Sequence, residues 1–219
     1  MTWERHLISL LIEHFPDLPE QVHKNLIAFG REVLKWNKIT NLISRQHSES
    51  ILVRLIVDSL FLLNVLKGHE SFLDIGAGAG FPSIPLLLSS QVRGTLAEAR
   101  RRRAAFLSHI LRTFNLSKAH VINRALSPRL PSPVSRLDCL WSKAGIPPQD
   151  LFACGEKWLD SGGRLIVMRP VHSKGEKITL RTLARQHRFT FIGTHTWEIP
   201  PLTLTRTLIL FERDKVERP

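Results

Sequence analysis

Apolar residues follow two different rhythms along this chain, and the change comes near residue 67. Before it they recur every three or four residues, which is the helical period. Leu7, Leu10, Leu11 and His14 share one face, Val22, Leu26, Phe29, Val33 and Trp36 make a second stripe, and Leu52, Leu55, Ile56, Ser59, Leu60 and Leu63 make a third. Pro16 and Pro19 interrupt the first two stripes. Asp17, three residues ahead of Glu20, predicts where the second helix starts. Ser48 or Ser50 is the expected cap of the third. Trp36-Asn-Lys-Ile-Thr-Asn-Leu42 loses the period and reads as a loop.

Beyond Gly68 short apolar runs alternate with helical stretches. Strands are expected at 72–75, 93–97, 119–123, 138–142, 164–168, 189–194 and 204–211, and helices at 81–90, 100–115, 148–159 and 175–186. That alternation predicts an α/β fold with a mostly parallel, seven-stranded, doubly wound sheet. The last two strands, separated by Trp197-Glu-Ile-Pro-Pro201, suit an antiparallel hairpin at its edge. The expected division is an N-terminal helical cap over 1–66 and a sheet-bearing core over 67–219.

One stretch concentrates the candidate chemistry. Phe72 to Ile75 reads as a buried strand, Gly76, Gly78 and Gly80 follow at alternate positions, and Ile84 to Leu88 resumes a helical face. Glycines let backbone approach a ligand, and a helix N-terminus offers unpaired N–H groups. The dinucleotide fingerprint needs glycine where Phe81 stands, and the phosphate loop needs Gly-Lys-Ser/Thr where Gly80 is followed by Phe-Pro. What remains is Asp-x-Gly-x-Gly-x-Gly, beginning at Asp74, the pattern of S-adenosylmethionine sites in Rossmann-like methyltransferases. Glu98, ending the next strand and 22 positions beyond Gly76, is placed to accept two ribose hydroxyls.

Composition narrows the partners. The 219 residues are 43% hydrophobic and 23% charged, as in a globular domain, but the net charge is +12. Such an excess favours a polyanion, nucleic acid or an acidic membrane. Cys139 and Cys154 make no disulfide framework or zinc pattern, and ten scattered histidines match no metal motif. No apolar stretch approaches the ~18 residues of a membrane span. The first residues lack a signal peptide's basic start and apolar block. A cytoplasmic protein without a metal is expected.

Over most of its length the chain resembles the glucose-inhibited division protein B family. The match rests on Trp36-Asn-Lys-x-x-Asn-Leu42, Val53-Arg-x-Ile-x-Asp-Ser-Leu60 and Asp74-Ile-Gly-Ala-Gly-Ala-Gly-Phe-Pro-x-Ile-Pro85. Arg103-x-x-Phe-Leu107, Arg124-Ala125, Ser142-x-Ala144, Gly162-Gly-Arg-Leu165 and a final apolar strand holding Arg206 extend it. The resemblance implies a class I Rossmann-like fold and S-adenosylmethionine-dependent methylation of guanine N7 in 16S (small-subunit) rRNA. It implies a donor site of Asp74, Gly76, Ala77, Gly78, Gly80, Phe81, Glu98, Arg124, Ala125 and Lys143. Lys143 and Arg206 would position the substrate, and Arg100, Arg101, Arg102, Arg169 and Arg206 would hold RNA, of free rRNA or of the ribosomal subunit, with the enzyme a monomer. Four departures stand out: Leu55 replaces a family His, Lys143 an Arg, Arg169-Pro170 a Lys-Gly, and Leu126 an acid.

Two other readings share these residues. One is a methyltransferase for another substrate, the other a non-catalytic RNA-binding ribosome-assembly factor. Arg100 to Arg103 oppose the dipole at a helix N-terminus, a cost that favours a contact with RNA. Asn37, Asn41, Asp58 and Ser59 suit either ordering a substrate loop or pairing helices. Trp36 reads as core, and Trp141 as the better platform for a base.

Overall fold

The computed structural model describes residues 2–66, 70–143, 145–168, 174–199, 202 and 204–215. The first rhythm folds as three helices, α1 (Trp3–His14), α2 (Glu20–Asn37) and α3 (Ser48–Leu60), followed by a 3-10 turn over Phe61–Asn64. The buried stripes are those the period marks: Leu7, Leu10 and Leu11, then Leu26, Phe29 and Val33, then Leu52, Ile56 and Leu60. Two helix starts differ from expectation. No side chain closes the first turn of α2, where Pro19 O accepts from Val22 N (2.9 Å) instead of an Asp17 cap forming. Before α3 the left-handed His47 (φ 54°) makes the turn, and Ser48 already lies inside the helix.

The second rhythm folds as β1 (Ser71–Ile75), α4 (Ser83–Ser89), β2 (Arg93–Ala97), α5 (Arg101–Thr113), β3 (Ala119–Ile122), β4 (Cys139–Ser142), α6 (Pro148–Trp158), β5 (Arg164–Met168), α7 (Lys174–Gln186), β6 (Phe189–Ile199) and β7 (Leu204–Arg213). The sheet order is β3-β2-β1-β4-β5-β7-β6. The first five strands are parallel, and β7 runs antiparallel to both β5 and β6. The terminal hairpin therefore forms, but β7 is inserted beside β5, and of these two strands β6 is the one at a sheet edge. β6 also runs five residues beyond the expected 194, past an irregularity between Phe191 and Gly193. Trp197 explains the extension: its ring stacks on Phe61 (4.3 Å, 16°) and ties the strand end to the helical layer.

The sheet separates two cores. On one face Phe72, Leu96, Trp141 and Ile166 join α1–α5. On the other Leu73, Ile75, Leu140 and Leu165 join α6 and α7. The carboxyl ends of β1, β2 and β4 are left together at one rim, where open α/β sheets take their ligands.

Candidate functional site

β1 ends at Ile75 and the chain turns at once through Gly76, Gly78 and Gly80, with φ of 78°, 59° and 85°. At Gly76 a side chain is excluded twice, by that conformation and because a Cβ would lie 2.6 Å from Gly145 Cα. Ser142 fixes this close approach. Its hydroxyl donates to Ile75 O (2.7 Å) and accepts from Gly145 N (2.9 Å), so the end of β4 is held against the end of β1.

Glu98, one residue past β2, ties the site together. It is buried, and one carboxylate oxygen accepts from Gly78 N (2.9 Å) while the other accepts from Arg100 N (2.7 Å). The glycine turn and the start of α5 are thus ordered by one side chain. Asn123, just past β3, donates to Glu98 O (2.8 Å) and brings the third strand end in. A cleft of about 350 Å³ opens beside these groups, lined by Gly76, Glu98, Arg100, Arg103, Arg124 and Ala125 among others. That is a small-molecule volume. A nucleoside donor fits its chemistry: Gly76 presents bare backbone, Leu126 and Ile146 supply apolar wall, and each Glu98 oxygen keeps a lone pair beyond its backbone bond.

Asp74 stands behind this wall. It is 1% exposed and accepts from Ser83 Oγ (2.5 Å) at the start of α4. Burial pushes its carboxyl from 3.8 up to about 7, while the Ser83 hydroxyl, the Trp141 indole and the Lys143 ammonium pull it back. The indole N–H leans toward the carboxyl without reaching bonding geometry. Ala77, Gly80 and Phe81 are also buried, with Phe81 packed on Phe29 of α2 at 5.3 Å, so they support the turn from behind.

A second cluster lies where α3, β4 and β7 meet. The Asp58 carboxylate takes Lys143 Nζ at 3.1 Å through one oxygen and Arg206 Nε at 3.2 Å through the other. The two expected substrate-side cations are therefore joined by one anion, with a positive charge left over. Asp58 is 10% exposed, whereas its partners are 29% and 28% exposed. Asp58→Ala is expected to cost about 1–3 kcal/mol of stability in urea unfolding, less than a fully buried pair because both cations still meet water.

The neighbouring loop is ordered by its own polar residues. Asn37 Oδ1 accepts from Leu42 N (2.9 Å) and Ile43 N (3.1 Å), and Arg103 donates to Asn41 O (2.8 Å). Ser59 merely bonds back to Leu55 O (2.5 Å) within α3. Arg103, which the sequence marks as one of a basic run, lines the donor cleft, and Asp58, which it marks as a loop or helix-pairing residue, bridges the two cations. The signal for Arg103 was present: at i+3 from Arg100 on a helix it returns to the same side. Arg100 is exposed and lines the cleft, Arg101 and Arg102 are exposed on the first turn of α5, and Arg169 lies outside the described residues. Trp141 is no platform for a base, because it is fully buried and stacked on Phe72 (4.5 Å). Trp36 packs on Phe106 (5.5 Å), as core.

Strand order, glycine turn and acid at the second strand's end together define a Rossmann-like fold of the class I methyltransferase type. Among solved structures, the SAM-dependent O-methyltransferase TM0748 from Thermotoga maritima shares it, with a TM-score of 0.55, 16% identity and coverage of 87% of this chain and 73% of that one. P. horikoshii TYW2 in complex with MeSAdo is similar at a TM-score of 0.55, 12% identity and 71% and 61% coverage. The family model described as rRNA small subunit methyltransferase G matches residues 22–198, and the chain belongs to that family. The ribosomal RNA small subunit methyltransferase G of Helicobacter hepaticus is 34% identical over 160 residues, covering 73% of this chain and 86% of the relative. That of Syntrophotalea carbinolica is 26% identical over 212 residues, 96% of this chain and 98% of the relative.

Proposed function

We propose that this protein methylates N7 of a guanine in small-subunit rRNA, using S-adenosylmethionine. The observation that carries the reading is Glu98, buried at the lip of the cleft and holding Gly78 and Arg100 by their backbones, in a chain of this family. When bound, the donor supplies an electrophilic sulfonium methyl. Gly76 meets it with bare backbone, Glu98 accepts from the ribose hydroxyls, and Arg124 and Ala125 border the adenine. Asp74, Ala77, Gly80 and Phe81 keep the glycine turn in shape from behind.

Guanine N7 already carries a lone pair, so it would take the methyl group from the sulfonium without giving up a proton. A general base is unnecessary. The protein's contribution is positioning, an effect that reaches about 7–11 kcal/mol in well-oriented reactions. Lys143 and Arg206, steadied by Asp58, hold the guanine O6 or a flanking phosphate. An Arg forked onto O6 and N7 together would block the nucleophile. Arg100, Arg101 and Arg102 take phosphates, which position RNA without reading its sequence. The reading includes a monomer that works in the cytoplasm without a metal, with residues 1–66 capping the substrate side.

Isothermal titration tests the donor half. Glu98→Gln loses one of two charge-assisted backbone bonds and is expected to weaken S-adenosylmethionine binding about 10- to 100-fold. Absence of heat with the wild-type protein removes the donor assignment. Mass mapping of rRNA from a deletion strain tests the other half: one guanine is expected to lack its N7 methyl, and a fully methylated 16S rRNA overturns the substrate.

A further inference from the structure

The connection from β3 to β4, residues 123–138, carries no helix, unlike the crossovers holding α4, α5 and α6. Its absence leaves a hollow. Strand alternation puts Ser71 and Leu73, Arg93 and Thr95, and the positions of Lys118 and His120 on one face of the sheet, with Ser71 paired to Arg93 and Thr95 to His120 in register. On that face α6 packs over β4 and β5, while among the described residues the loop Pro133–Leu137 walls the amino ends of β1, β2 and β3. The space between measures about 490 Å³ and is lined by Arg93, Lys118, His120 and Arg136.

The hollow is positively charged and partly pre-ordered. His120 Nε2 is held 3.2 Å from Thr95 Oγ1, a hydroxyl on a residue only 4% exposed. The nearby carboxylates are engaged already. Asp138 accepts from Ser71 N (2.8 Å) and Ser71 Oγ (2.7 Å), and Asp160 accepts from Leu137 N (3.2 Å). Both also face Arg136, at 3.8 and 3.9 Å. Three permanent cations and a histidine against two carboxylates leave an excess that the donor chemistry does not use.

We propose that this hollow binds a backbone phosphate of the substrate RNA, a second anchor at the opposite end of the sheet from the donor cleft. The proposal rests on rRNA being the substrate. β3 supplies the path: it is the sheet's outer strand, with its side chains half-buried or exposed. Its four residues span about 13 Å. Arg124, just past its carboxyl end, lines the donor cleft, and Lys118, just before its amino end, lines the hollow. An RNA strand laid along this edge meets both. The anchor holds the chain without reading sequence.

The test compares the full-length wild type with the double variant Arg93→Gln/Lys118→Gln, using a labelled small-subunit rRNA transcript across a salt series. RNA affinity is expected to fall about 10-fold, and the slope of log affinity against log salt to shrink by about 0.7, the share of the one phosphate no longer neutralised. S-adenosylmethionine binding, titrated on the same samples, stays unchanged. A control pair, Arg31→Gln/Arg185→Gln, removes two exposed charges elsewhere and is expected to keep the wild-type slope. A wild-type slope in the first variant, or an equal loss in the control, overturns the anchor. Failure of the wild type itself to take up donor or RNA points instead at the proposed function.

Discussion

Gly76→Ala is expected to abolish measurable donor binding, a loss of at least about 100-fold, and to destabilise the fold by about 2–5 kcal/mol. Two costs coincide at this residue. An L side chain at φ 78° is strained, and its Cβ would stand 2.6 Å from Gly145 Cα. Backbone cannot swing aside as a flexible side-chain end can, and Gly145 is held in place by Ser142. Gly162→Ala separates the two costs. It has nearly the same φ, 77°, but nothing within 4 Å of the added Cβ, so only the conformational cost of about 1–2 kcal/mol remains, with donor affinity intact. Isothermal titration and urea unfolding on both variants check this. Equal effects from the two substitutions would mean that the approach of β1 to β4 does not shape the cleft.

Asp74→Asn is expected to stabilise the protein at pH 8 and to lose that advantage in acid. Burial raises the folded-state carboxyl from 3.8 to about 7. Between these values the folded state binds more protons than the unfolded chain, so wild-type stability falls as pH climbs from about 4 to 7 and levels off above. The full penalty for the ionised form is about 4 kcal/mol. Asn keeps the shape and can still accept from Ser83, but it does not ionise. The stability difference between variant and wild type, from denaturant curves at pH 4 and pH 8, is therefore expected to widen by up to about 4 kcal/mol in favour of Asn. Parallel curves would show that Asp74 ionises freely in the folded state.

Much of this molecule could be read before its fold was known. The helical and strand segments followed from apolar spacing, and the turn of Gly76, Gly78 and Gly80 from the need for positive φ. Glu98 was legible because a fixed distance past the glycines brings the chain to the end of the neighbouring parallel strand. Each of these depends on residues near one another in sequence, or on a repeating βα unit of known length.

Other features depended on docking. Asp58 lies 85 residues from Lys143 and 148 from Arg206, and no local period encodes their meeting. β1 and β4 are buried on both faces, so alternation could not say that Asp74 and Trp141 turn into the core. The extension of β6 came from Trp197 finding Phe61 on the helical layer. A net charge of +12 told nothing of which cations are paired and which line a hollow. Sequence determined the elements, the glycine turn and the class of ligand, because those are local or periodic. The tertiary structure alone decided which carboxylate faces the cleft, which is buried and which bridges two cations, because strand register and helix docking set those distances.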